Sequence, residues 1–205
     1  MLQGDGKKGV EHTEAAIRYL EDAQLVSMLG GAWANLGFGY VLLGEMDTAL
    51  IHMKKGLETD LALADSLMVC SHYRNLAMTY CSLGDLENAR SYGERALDLA
   101  RKHHYTYLEA QALLALGRTM GKTDETRSAE AEQYILQAMR SLDESKAKAW
   151  YAQAILSLGE FYVDTGQKQK ALDTLKTTQR MMQEMGMTGY WSARTQKALE
   201  KLKAQ

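Results

Sequence analysis

The sequence predicts an all-α fold in which about ten helices stack as a solenoid. Three observations predict it. The 205 residues include no proline and 46% are hydrophobic, so nothing breaks helices and a sizeable core is available. Small residues recur at a long fixed spacing: Ala49, Ala89, Ala131 and Ala171 stand 40, 42 and 40 residues apart. Signals for strands are missing.

The clearest copy of the repeat runs from Trp33 to Gly56, W-A-N-L-G-F-G-Y-V-L-L-G-E-M-D-T-A-L-I-H-M-K-K-G. Trp33, Leu36 and Tyr40 fall at helical spacing and form the buried stripe of a first helix, with Gly37 small enough to admit a neighbouring backbone. Gly44 ends that helix, because glycine takes the left-handed turn at least cost. Ala49, Met53 and Gly56 then place small, large and small side chains on the inner face of a second helix. These residues fill, in order, the spaced positions of a tetratricopeptide (TPR) helix-turn-helix, and the resemblance is close. It implies a right-handed superhelix whose first helices line a concave surface.

Taken in order, residues 1–10 predict a disordered leader and 11–188 the repeat array. Residues 11–27 form a half-repeat, because Ala16, Leu20 and Ala23 echo the spacing of Ala49, Met53 and Gly56. Repeats follow at 30–60, 65–104, 107–144 and 148–186. The second is marked by Tyr73, Leu76, Ala77, Tyr80, Gly84, Ala89 and Ala96. Leu116, Gly117, Met120, Ala131, Ile135 and Ala138 mark the third, with two extra residues between Lys122 and Ser128. Ile155, Leu158, Gly159, Tyr162, Gly166, Ala171, Leu175 and Thr178 mark the fourth. The period is longer than the usual TPR repeat of about 34 residues, which predicts longer second helices. Gly186 and Gly189 lead into a terminal capping helix, 189–205, with Trp191, Ala198, Leu199 and Leu202 inward and Arg194, Lys197, Glu200, Lys201 and Lys203 toward water. A half-repeat at the start predicts an uncovered flank bearing Ile17 and Leu25, excision from a longer chain, and a homodimer through that edge.

Composition narrows the function. A formal net charge of -2 gives no general attraction to phosphate backbones, so no nucleic-acid partner is expected. Leu25–Gly44 lacks charges over a membrane-spanning length, but Gly30-Gly31 divides it and the repeat accounts for its apolar residues, so no membrane span is expected. Cys70 and Cys81 would lie roughly 16 Å apart on one helix, too far to bridge, which suggests a reducing cytoplasmic setting. His12, His52, His72, His103 and His104 show no metal-ligand spacing, so no metal, cofactor or catalytic residue is expected. Met181, Met182, Met185 and Met187 are read as packing under the cap.

The 40-residue period, M-K-K-G-L after the first repeat and E-M-G-M-T-G-Y-W before the cap resemble the TPR region that ends certain bacterial signalling ATPases and class III nucleotide cyclases. That resemblance implies a regulatory module whose partners include other domains of its own parent chain. No catalytic motif of those enzymes is present.

The TPR resemblance further implies a concave face that binds a protein or peptide, presenting Asn35, Phe38, Val41 and Leu42, then Arg74, Asn75 and Met78, then Leu114, Arg118 and Lys122. Ala34, Ser82, Gln111, Gln153, Leu156, Glu160 and Asp164 fall on the same stripe. Asn35 and Asn75 occupy one position in successive repeats, where an amide can donate to and accept from a ligand's peptide group; the plainer reading is two surface asparagines. The apolar residues would bury anchors of the partner, and Arg74, Arg118 and Lys122 would receive an acidic group. Ala34, Phe38, Gln111 and Ala115 do not reproduce the clamp with which chaperone-binding relatives hold a terminal carboxylate. The rival reading is a structural spacer or oligomerisation module.

Overall fold

Ten α-helices form among the described residues of this computed structural model, which are 6–123 and 125–204, and no strand does. They are α1 (Gly6–Asp22), α2 (Val26–Leu43), α3 (Met46–Ala62), α4 (Ser66–Leu83), α5 (Leu86–Lys102), α6 (Thr106–Thr123), α7 (Ser128–Glu144), α8 (Lys148–Asp164), α9 (Lys168–Glu184) and α10 (Tyr190–Lys203). A short 3-10 turn, Glu125–Arg127, precedes α7 and falls among the extra residues of the third repeat. First helices (α2, α4, α6, α8) and second helices (α3, α5, α7, α9) are both 17 or 18 residues long, so the long period is shared equally and not carried by the second helices.

The turns carry the period in the backbone. Gln24, Ala64, His104, Lys146 and Gly186 each have positive φ and close the turn from a second helix to the next first helix. At each, the following amide reaches back five residues to a helix carbonyl: Leu25 to Leu20, Asp65 to Asp60, Tyr105 to Ala100, Ala147 to Leu142 and Met187 to Met182. This is the Schellman closure, which satisfies carbonyls that the helix end would leave open. Glycine is the low-cost residue there, yet four of the five have a Cβ. Asp65 then caps α4 by accepting from the Leu67 and Met68 amides, and Asp85 caps α5 through the Asn88 amide.

Two compact units divide the chain between Leu108 and Glu109, three residues into α6. In the first, α2 and α3 pack so closely that a Cβ on Gly37 would lie 2.6 Å from Met53 Cγ and 2.8 Å from the Ala49 carbonyl oxygen. Met53, Leu57, Val69, Leu76, Tyr80, Cys81 and Ala89 form its main core. α2, although long and apolar enough to cross a membrane, packs here against α1 and α3. In the second unit the same approach recurs, with Gly117 against Ile135 and Ala131 and Gly159 against Leu175.

The N-terminal helix corrects the expected register. α1 begins at Gly6 within the expected leader; residues 1–5 lie outside the described ones. Gly9, Thr13 and Ala16 stand 40 residues before Ala49, Met53 and Gly56, so the small-large-small set lies seven residues earlier than Ala16, Leu20 and Ala23. Ala16 and Ala23 are exposed. Ile17 is buried with Val10 and Leu36 against Trp33 and Tyr40, so it belongs to the core and not to an open flank, while Leu25 is exposed. Poor helix formers, Gly6 and Gly9, are kept helical by burial against α2.

One buried polar pair ties α3 to α4. His72 Nε2 and Asp60 Oδ2 are 2.6 Å apart, each 1% exposed. His72 therefore lies in the core. Gly30 leaves room for the Asp60 carboxylate, which any side chain at that position would strike. Elsewhere in the array the Asp60 position holds Leu20, Ala100, Leu142 or Met182, and the His72 position holds Ala32, Ala112 or Ala154.

Two stability outcomes follow. Asp60→Ala or His72→Ala should each cost about 3–5 kcal/mol, because either leaves a buried polar group alone. The pair Asp60→Leu, His72→Ala, which copies Leu142 and Ala154, should recover much of that loss in urea melts. Separately, Ala64→Gly and Lys146→Gly should each stabilise by about 1 kcal/mol through relief of the left-handed backbone, and Gly186→Ala should destabilise by a similar amount.

Candidate functional site

In the first unit, α2 and α4 present the outer faces of successive first helices, and these helices contact one another. Asn35 is exposed and Asn75, at the same position one repeat later, is partly exposed. Neither side-chain amide makes a hydrogen bond to another described residue. One residue before Asn75, Arg74 is partly exposed, and its Nε is buried without a hydrogen-bond partner. Burial holds the Arg74 guanidinium below the ordinary arginine value, and the titratable groups bearing on it are Tyr107 and Cys70, neither of them a carboxylate. Met78 follows one turn on and is partly exposed.

The apolar residues expected on this face are shared with the fold. Phe38 and Val41 pack against the core of the unit, so the fold already uses much of their surface. Leu42 lies beside α1, where a Cβ on Gly6 would come within 3.1 Å of Leu42 Cβ. All three side chains keep partial exposure at the edge of the packed interior.

In the second unit the expected basic cluster has an acid of its own. Glu160 on α8 accepts from Nε and one Nη of Arg194 from α10, each at 2.6 Å, and pairs with Arg118 of α6 at 3.1 Å. Burial alone would raise the Glu160 carboxyl; the charges of Arg118 and Arg194 and the Arg194 hydrogen bonds outweigh it and hold the pKa at about 2. Arg194 therefore does not face water, as its place in the helical pattern suggested; burial alone would lower its guanidinium, and the charge and hydrogen bonds of Glu160 outweigh that and push it above the usual arginine range. Lys201 adds a second tie from the cap, to Asp164 at 2.6 Å. Lys122 is exposed and also bears on Glu160. Leu114 is buried at 4% exposure and Leu156 at 0%, so neither lines an open face. Met182 is buried and accepts from the Thr195 hydroxyl of the cap, while Met181, Met185 and Met187 are partly exposed.

Some residues carry more than the sequence suggested. His52 is stacked between Trp33 and Tyr40, while Tyr92 stacks on Tyr80 and meets Tyr73 at a tilt, with Lys55 over Trp33 and Arg95 near Tyr73 and Tyr92. Each ladder joins a first helix to its second. Position 92 lies 40 residues after 52, so the spacing alone could have paired them. Asp60 was legible only as a charge where other repeats have apolar residues. Among the described residues no group of three or more His, Cys, Asp or Glu could hold a metal ion.

The Glu160 cluster sets an acid limit. The folded pKa lies below the unfolded value, so its contribution is present above pH 4.5 and is lost as the pH falls toward 2. That contribution is on the order of 3 kcal/mol. Glu160→Gln should therefore flatten the loss of stability between pH 5 and 2, on the order of those two limits, in urea melts followed by circular dichroism.

The comparisons with known proteins agree on the architecture. Residues 29–102 and 68–131 match the family model described as Tetratricopeptide repeat. A search of curated protein sequences finds no match. Among solved structures, BtubC from P. vanneervenii superposes with a TM-score of 0.62 at 18% identity, over 97% of this chain and 83% of that one. The apo form of RapI gives 0.70 at 15% identity, over 98% and 80%. Aspartyl phosphate phosphatase F from Bacillus subtilis gives 0.62 at 15% identity, over 96% and 56%. At these identities the likeness is one of fold, the α-solenoid class.

Proposed function

We propose, on the premise that this chain belongs to the tetratricopeptide-repeat family, that it is a non-enzymatic protein-interaction module whose first unit holds an extended peptide segment across α2 and α4. The observation that carries the proposal is the pair Asn35 and Asn75, two amides at one position of adjacent first helices that make no hydrogen bond to another described residue. An amide donates and accepts at once, so two of them in register suit a peptide backbone whatever its side chains. Stacked helices hold them in place beforehand, and binding then needs little ordering of the receptor. Arg74 and Met78 flank Asn75 and supply a charge and a deformable apolar contact. The ion-paired cluster of the second unit serves in this reading to fasten the cap.

A cytoplasmic setting is part of the proposal, supported by the two free cysteines, Cys70 and Cys81. So is a regulatory role within a larger bacterial signalling protein, supported by the resemblance of the period and of the strings M-K-K-G-L and E-M-G-M-T-G-Y-W.

Asn35→Ala with Asn75→Ala tests the peptide reading, because neither amide supports the fold. Against a mixed library of acetylated, amidated hexapeptides, the double variant should lose at least about tenfold in affinity, the worth of two hydrogen bonds, at unchanged melting temperature. Unchanged affinity would favour a spacer or a module acting through its edges.

A further inference from the structure

Arg74 breaks the rule of its own repeat. The same position in the other first helices holds Ala34, Leu114 and Leu156, which are 9%, 4% and 0% exposed. The array thus has a small or apolar slot here, and in one repeat it holds a guanidinium. Taking that charge from water is unfavourable unless an anion meets it. The chain has 26 acidic residues, yet none of the described ones forms an ion pair with Arg74, and its Nε has no partner. Cys70 and Tyr107 cannot neutralise it at pH 7, since burial pushes the thiol up to about 11 and the phenol to about 12.

The second unit shows what the same chain does when an arginine of a first helix is answered internally. There Arg118 meets Glu160, which Arg194 also holds. No counterpart of Glu160 serves Arg74, which remains partly exposed and so can be reached from outside.

We propose that Arg74 is the anchor for an anionic side chain, carboxylate or phosphoryl, of the peptide that lies across Asn35 and Asn75. The inference rests on the peptide-binding reading and adds to it the chemistry of the ligand. A guanidinium offers a planar fork of donors that matches either anion and rejects a neutral amide of the same shape. Its neighbour Asn75 fixes the backbone next to that side chain, so the acid should occupy a defined place in the segment.

The test uses the full chain and hexapeptide sets with blocked termini, each with one central residue fixed as Asp, Glu, phosphoserine, Asn or Gln. The native protein should bind at least one anionic set about tenfold more tightly than the amide sets. Whether the carboxylate or the phosphoserine set wins identifies the source of the anion. Arg74→Leu, which copies Leu114 and Leu156, should abolish that preference, leave binding of the Asn and Gln sets unchanged, and raise the melting temperature by about 2–4 °C. Arg74→Lys should keep part of the preference. Binding without any anionic preference, a preference that survives Arg74→Leu, or a lower melting temperature in that variant overturns the assignment and leaves the peptide reading standing. No binding of any set by the native protein overturns the peptide reading, and the assignment with it.

Discussion

The close approach of each first helix to its second is the contact on which the rest depends. Gly37 against Ala49 and Met53, and Gly117 against Ala131 and Ile135, leave no room for a Cβ. Wherever those small residues recur, two helices of 17 or 18 residues lock face to face, and the large slots of Leu36, Leu76, Leu116 and Leu158 are drawn inside. Packing at that distance fixes which side of each first helix is consumed by the fold. What remains outside is narrow, and in the first unit it carries Asn35, Arg74 and Asn75.

Charge enters this framework at positions that the repeat otherwise fills with small or apolar residues. Asp60 and His72 answer each other between α3 and α4, and Gly30 makes the space. Glu160 gathers Arg118 and Arg194, fastening the cap to α8. Both arrangements are closed within the chain. Arg74 is the same kind of substitution left open, and a partly buried charge that no acid among the described residues pairs is poor for stability but suited to recognition.

The array was legible in the sequence because its signals are redundant. Leu36, Gly37 and Tyr40 repeat as Leu76, Ala77 and Tyr80, and again as Leu158, Gly159 and Tyr162, so one weak position cannot hide the period. The N-terminal helix lacked that redundancy. Gly6 and Gly9 argue against a helix by propensity, and only their burial against α2 overrides it, which displaced the expected register and put Ile17 on the wrong side. The site was harder to read, because helical spacing gives a direction but not what lies there. Leu114 shares its position with Arg74 and is buried; Arg118 and Arg194 read as solvent-facing cations until Glu160 is placed between them. Phe38 and Val41 look like ligand anchors by spacing, yet the core of the first unit reaches them.

The central claim is that the Asn35–Arg74–Asn75 face is the binding surface and that its charge is unanswered until a ligand arrives. Side-chain nitrogen resonances test it most directly, in a titration of the native chain with the tighter-binding of two blocked hexapeptide sets, one with a central aspartate and one with a central phosphoserine. The account predicts saturable shifts of the Asn35 and Asn75 amide signals and of the Arg74 Nε signal at one common dissociation constant, with the Arg194 signal, already held by Glu160, unmoved. Shifts confined to Arg118 and Arg194, or an Arg74 signal that does not move while the peptide binds, would contradict it.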